Sequence, residues 1–98
     1  MLETQIQRAM RSKHILFFRY DGYLRAVEPH VLGIHGGVRQ FLGFQVGGSS
    51  RSGGIPDWRR FDLVKIVDLH AANDSFPGRR PTPSGRHSHW DHIIEIVG

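Results

Sequence analysis

The segment WRRF, residues 58–61, sets two guanidinium groups between two aromatic rings. On a strand, successive side chains point to opposite faces, so one arginine shares the face of Phe61 while the other lies beside Trp58. With Arg60 outward next to Trp58, a guanidinium able to hold a phosphate at two points stands near a flat surface on which a base can stack. Arg59 then covers the rim with its stem. The structural alternative is that both arginines are solvated, their methylenes lying over apolar neighbours.

A second cluster is RHSHWDH, residues 86–92, where His87, His89 and Asp91 fall in register on an extended chain. Three such ligands suit a divalent ion, but the segment adjoins a proline-rich stretch and no second ligand cluster accompanies it. Added positive charge on histidine protonation is the simpler use, and no metal site is assigned. Glu28, Asp62, Asp68 and His70 are the remaining acids and bases of interest. No nucleophile elbow, glycine phosphate loop or paired carboxylates accompany them, so the expectation is a non-enzyme without cofactor. Glu28, ahead of Pro29, is expected to accept hydrogen bonds or pair with Arg25, and Asp62 to cap a turn.

Elements to position these residues are readable from periodicity. Leu2, Ile6, Ala9 and Met10 recur at helical spacing, giving a short amphipathic helix over 2–12. HILFFRY, from His14, is rich in aromatic and branched residues and reads as a strand covered on both faces. Asp21-Gly22 is a tight-turn signal, and the strand after it is long, with an edge or a bend at Pro29. Gly36-Gly37 marks a second turn before VRQFLGFQV, in which Gly43 signals a bulge or a close approach. Residues 47–57 form a glycine and serine loop around Arg51; WRRF is the fourth strand, Asp62 starts one helical turn, and KIVDLHA is the fifth strand. The domain is expected to end at 76. Residues 77–98 read as an extended Pro/Arg/His-rich tail whose final IIEIVG adds a strand to its own sheet or a neighbour's.

The 98 residues suffice for one domain, and a core this small gains from burying more surface in a homo-oligomer. A formal charge of +4 and a sequence pI near 10.3 favour anionic partners. From Phe76 to Trp90 no acid occurs, while Arg79, Arg80 and Arg86 do. Without cysteine, neither disulfides nor thiolate metal sites hold the fold. The start MLETQIQRAM lacks a secretory pattern and no apolar run is long enough for a membrane span, so a cytoplasmic location without membrane partners is expected. One helix and about five antiparallel strands in such a chain point to a mainly β fold, a bent SH3-like or Sm-like barrel, because closing the sheet protects its edges.

The order IQRAMRSKHILFFRYDG, RAVEPHVLGIHGGVRQFLGF and WRRFDLVKIVDL resembles the WYL domain of bacterial transcription regulators, over about residues 2–76. FRYDG, VEPHVL and RRFDLVKI carry the resemblance together. The name-giving Trp-Tyr-Leu falls on Gln40, Phe41 and Leu42, so the tyrosine hydroxyl is lost, and Lys65 stands where an arginine usually precedes Ile66. The resemblance implies an Sm-like barrel serving as a sensor of nucleotide-like or single-stranded nucleic-acid ligands through basic and aromatic residues. It also implies either a stand-alone relative or one whose DNA-binding partner is another polypeptide. Arg59, Arg60 and Trp58 are the leading ligand contacts, with Tyr20, Arg25, Phe41 and Lys65 as secondary ones. The alternative is a protein–protein interaction or oligomerisation module without a small ligand.

Overall fold

A computed structural model describes residues 2–48, 56–81 and 90–98. Helix α1, Leu2–Ser12, buries Ile6, Ala9 and Met10 along one stripe. Glu3 in its first turn and Arg11 in its last complement the helix dipole. Lys13, at φ 57°, takes the left-handed conformation that ends the helix and releases the chain into β1, His14–Tyr20.

Two hairpins build the sheet. Asp21 and Gly22, both at positive φ (53° and 78°), form the two-residue turn into β2, Tyr23–His35, with Tyr20 paired to Tyr23. Gly36 and Gly37, at 58° and 77°, do the same between β2 and β3, Val38–Gly48. Strands β4, Asp57–Asp62, and β5, Val67–Ser75, complete the order β4-β3-β2-β1-β5. The last strand, β6, His92–Ile96, pairs with the second half of β2, beyond the stretch that β1 covers. The expectation of one helix ahead of a mainly β, barrel-like antiparallel sheet therefore holds, and IIEIVG joins its own sheet. Proline donates no ladder hydrogen bond, and the β2–β3 register shifts between Pro29 and Val31, so Pro29 marks a bend inside a central strand rather than an edge. Gly43 lies opposite Pro29, where a Cβ would collide with Val27 Cγ1.

The core joins α1 to the sheet through Ile6, Met10, Leu16, Phe18, Val27, Leu32, Phe41 and Phe61, and it also takes in Phe76 and Val97. Phe18 meets Phe61 edge-on at 5.0 Å between centroids, and Phe41 stacks on Phe61 at 5.2 Å. Beta2 is buried without a break from Arg25 to Gly33. One side faces this core and the other is covered by residues 76–81, Trp58 and the end of the chain. Burial on both sides is why β2 carries the buried polar residues Arg25, Glu28 and His30, each of which needs partners.

Asp62 departs from expectation. The helical turn forms, as a 3-10 turn over Leu63–Lys65, but the Asp62 side chain makes no capping bond to it. Its carboxylate instead accepts from Gln40 Nε2 across the β3–β4 pair at 2.7 Å and meets Lys65 Nζ at 3.7 Å. Strand β5 starts two residues later than the KIVDLHA pattern suggests, and Asp68, at φ 56°, interrupts its alternation.

Candidate functional site

A groove of about 450 Å³ opens between the β1–β2 turn and β4, lined by Tyr20, Asp21, Arg25, Trp58, Arg59, Arg60 and Phe61. The Asp21-Gly22 turn brings Tyr20 and Arg25 to one wall. The register of β4 on β3, with Arg59 opposite Gly43 and Phe61 opposite Phe41, supplies the other. Tyr20 is pinned from its hydroxyl, which accepts the Asp62 backbone N–H at 3.0 Å.

Arg25 is the unusual member. Only 4% exposed, it donates from Nη1 to Gln45 Oε1 and from Nη2 to the Tyr20 carbonyl, each at 3.2 Å. Its guanidinium lies 5.6 Å from the ring centroids of Tyr20 and Tyr23 and 5.8 Å from Phe61. Among the described residues its Nε has no hydrogen-bond partner, and no carboxylate forms an ion pair with it. Burial, and then the like charge of Arg59, lower its pKa, while Asp21 and the two tyrosines pull the other way. An arginine stays charged under such pressure, so the groove holds a desolvated cation satisfied by neutral dipoles and ring faces, with a second cation close enough to repel it. An anion placed between the two relieves both effects.

The remaining sequence-predicted residues divide. Trp58 is half-buried, edge-on to His30 at 4.7 Å and tilted on Phe44 at 5.2 Å, and forms part of the groove wall. Arg59 belongs with Arg25 and Phe61. Arg60 lies along the groove, but its guanidinium is stacked 4.3 Å from the Trp90 ring, and burial lowers its pKa. Phe41 is fully buried and supports the groove from beneath Phe61. Lys65, in the 3-10 turn, is turned to Asp62 and does not line the groove. Phe61 and Asp21 line the groove as well, beyond the residues the sequence pattern points to; alternation along β4 is the signal that places Phe61 with Arg59.

Glu28 does not pair with Arg25. The two are three residues apart on a strand, an odd spacing that sends them to opposite faces. Glu28, 3% exposed, instead receives Arg80 in a two-point contact, Nε to Oε1 at 2.6 Å and Nη2 to Oε2 at 3.0 Å. No metal-binding group of His, Cys, Asp or Glu occurs among the described residues; His87 and His89, like Arg51 and most of its loop, lie outside them. No described helix is long and apolar enough to cross a membrane.

No protein-family model matches the sequence, and no curated protein does. Among solved structures, the chain is similar to proteasome accessory factor B/C (PafBC) of Arthrobacter aurescens, with a TM-score of 0.60 and 25% identity over 74% of this chain. The match spans 12% of that much longer protein. The similarity supports a WYL-like fold.

Proposed function

We propose that this chain is a non-catalytic regulatory module whose groove binds a nucleotide-like or single-stranded nucleic-acid anion. The observation that carries the reading is the buried Arg25 beside Arg59, bounded by Tyr20, Trp58 and Phe61, with Asp21 as the one carboxylate among the described residues of the lining. A phosphate takes the arginines, and a base takes a ring face, each stacked base contributing about 1–3 kcal/mol. The volume of about 450 Å³ suits a ligand of nucleotide size rather than a long strand enclosed end to end. PafBC is a WYL-domain-containing transcription regulator, which supports placing the module in transcription regulation. A homo-oligomer, a cytoplasmic location and a separate DNA-binding polypeptide complete this reading.

The test is anisotropy of a labelled short oligothymidylate across a salt series. Two phosphate contacts predict that log K falls with log salt at a slope of about −1.4, and Arg59→Ala brings the slope toward about half that value. No binding of oligonucleotide, nucleotide or inorganic phosphate at low salt refutes the reading. The protein-interaction module then leads; the exposed Ile93 and Ile96 on β6 are the observation in its favour.

A further inference from the structure

Behind the Trp58 wall lies a buried polar assembly that periodicity does not reveal. His30, in the middle of β2, is 3% exposed. Its Nε2 accepts the Arg80 backbone N–H at 3.2 Å and its Nδ1 faces the Glu28 carbonyl oxygen at 2.9 Å. Only the neutral ring with its proton on Nδ1 satisfies both contacts, since one nitrogen must accept and the other donate. The contacts then close on themselves. The His30 ring packs edge-on against Trp58, Trp58 on Phe44, and the Phe44 ring carries the Arg80 guanidinium at 4.9 Å, while Arg80 returns to His30 through its backbone. Phe76 covers the imidazole from the remaining side at 5.6 Å.

We infer that His30 is a proton-sensitive support for Trp58, so that acidification loosens the groove wall and weakens anion binding. The binding consequence rests on the function proposed above, whereas the support of Trp58 rests on the contacts alone. A proton on Nε2 puts an N–H against the Arg80 N–H and adds a cation beside the Arg80 guanidinium. The charged groups facing His30 are Glu28 on its own strand and Arg80 from residues 76–81, with Lys13 beyond Gly78. β4 presents Trp58 and β3 presents Phe44, both uncharged. The Glu28 carboxylate and backbone hydrogen bonds with Glu28 and Gly78 favour the imidazolium, but both carboxylate oxygens of Glu28 already hold Arg80. Burial is the largest influence and pushes the His30 pKa below its ordinary value. The expected direction is diagnostic: protonation of exposed histidines adds positive charge and strengthens anion binding as pH falls, whereas loss of this support weakens it.

The experiment follows the His30 ring and the Trp58 indole N–H by NMR from about pH 8 to 5, with oligothymidylate affinity measured at both ends. We expect the Nδ1–H tautomer at the upper end, a Trp58 indole shift with the same midpoint as His30, and an affinity loss of about fivefold or more relative to His30→Gln. Glutamine offers an acceptor to Arg80 without titrating, so its Trp58 signal stays flat. A Trp58 signal that does not move while His30 titrates overturns the inference. So does equal pH dependence of affinity in the two proteins. If no oligonucleotide binds at either pH while Trp58 tracks His30, the anion-binding reading falls and the regulation of binding falls with it, leaving only the support of Trp58. Should His30→Gln not fold, the tautomer and the coincidence of midpoints in the unmodified chain decide.

Discussion

Removing Arg80 is a sharper perturbation than removing Glu28, although they are partners. The Glu28 side chain is 4% exposed and the Arg80 side chain 37% exposed. Arg80→Met therefore leaves a carboxylate buried without its cation, whereas Glu28→Gln leaves an arginine that can turn to water. Breaking a buried pair from one side costs about 3–5 kcal/mol; with Arg80 partly solvated, the lower end, about 3 kcal/mol, applies to Arg80→Met. Glu28→Gln keeps hydrogen-bond acceptors and costs about 1–2 kcal/mol. The double variant removes the orphaned charge as well, and is expected to be more stable than Arg80→Met alone. Urea unfolding followed by circular dichroism measures all three, with midpoints compared at constant slope. If Arg80→Met costs less than Glu28→Gln, or the double variant loses the sum of the two, the carboxylate is not held as described.

Three further outcomes follow from the packing. Phe41→Ala, beneath Phe61, is expected to cost about 3–5 kcal/mol in the same assay; a loss under about 1 kcal/mol contradicts its place in the core. Gly43→Ala is expected to destabilise strongly, because the new methyl meets Val27 and a Phe41 ring carbon 3.1 Å away; unchanged stability refutes the close approach. Because burial depresses the folded-state pKa of His30, the unfolded chain binds more protons between that value and the ordinary one. Stability is then full above about pH 6.5 and falls as pH drops toward the folded pKa, by at most about 1.4 kcal/mol per pH unit for one proton. His30→Gln removes that component of the slope, and an identical pH profile in the two proteins contradicts it.

Local signals carried most of the framework. Helical spacing in 2–12, the Asp21-Gly22 and Gly36-Gly37 turns and the apolar runs between them need only neighbours in sequence to be read. Tyr20, Arg25, Trp58, Arg59 and Arg60 also meet at one groove; hairpin register accounts for Tyr20 with Arg25, whereas β4, separated from β1 by β3 and β2 in the sheet order, reaches Tyr20 only because the sheet curls round, as closing it into a barrel requires. What escaped depends on distant partners. Glu28 and Arg80 are separated by 52 positions, and no periodicity links them. Asp62 had a plausible local role as a cap, yet a cross-strand bond to Gln40 competes for the same oxygens. Arg25 looked like one strand arginine among several; it is buried on the face opposite Glu28, where Gln45 and the rings of Tyr20, Tyr23 and Phe61 surround it, and Phe61 comes from the non-adjacent strand β4.

The most direct test of the central claim is an NMR titration of the chain with oligothymidylate at low salt, following the Arg25 Nε–H and the Trp58 indole N–H. The account predicts that both signals move with one affinity and that Arg59→Ala weakens this affinity while the remaining phosphate contact keeps the response at Arg25. Binding that leaves Arg25 and Trp58 unmoved, or perturbs only residues away from the groove, contradicts it.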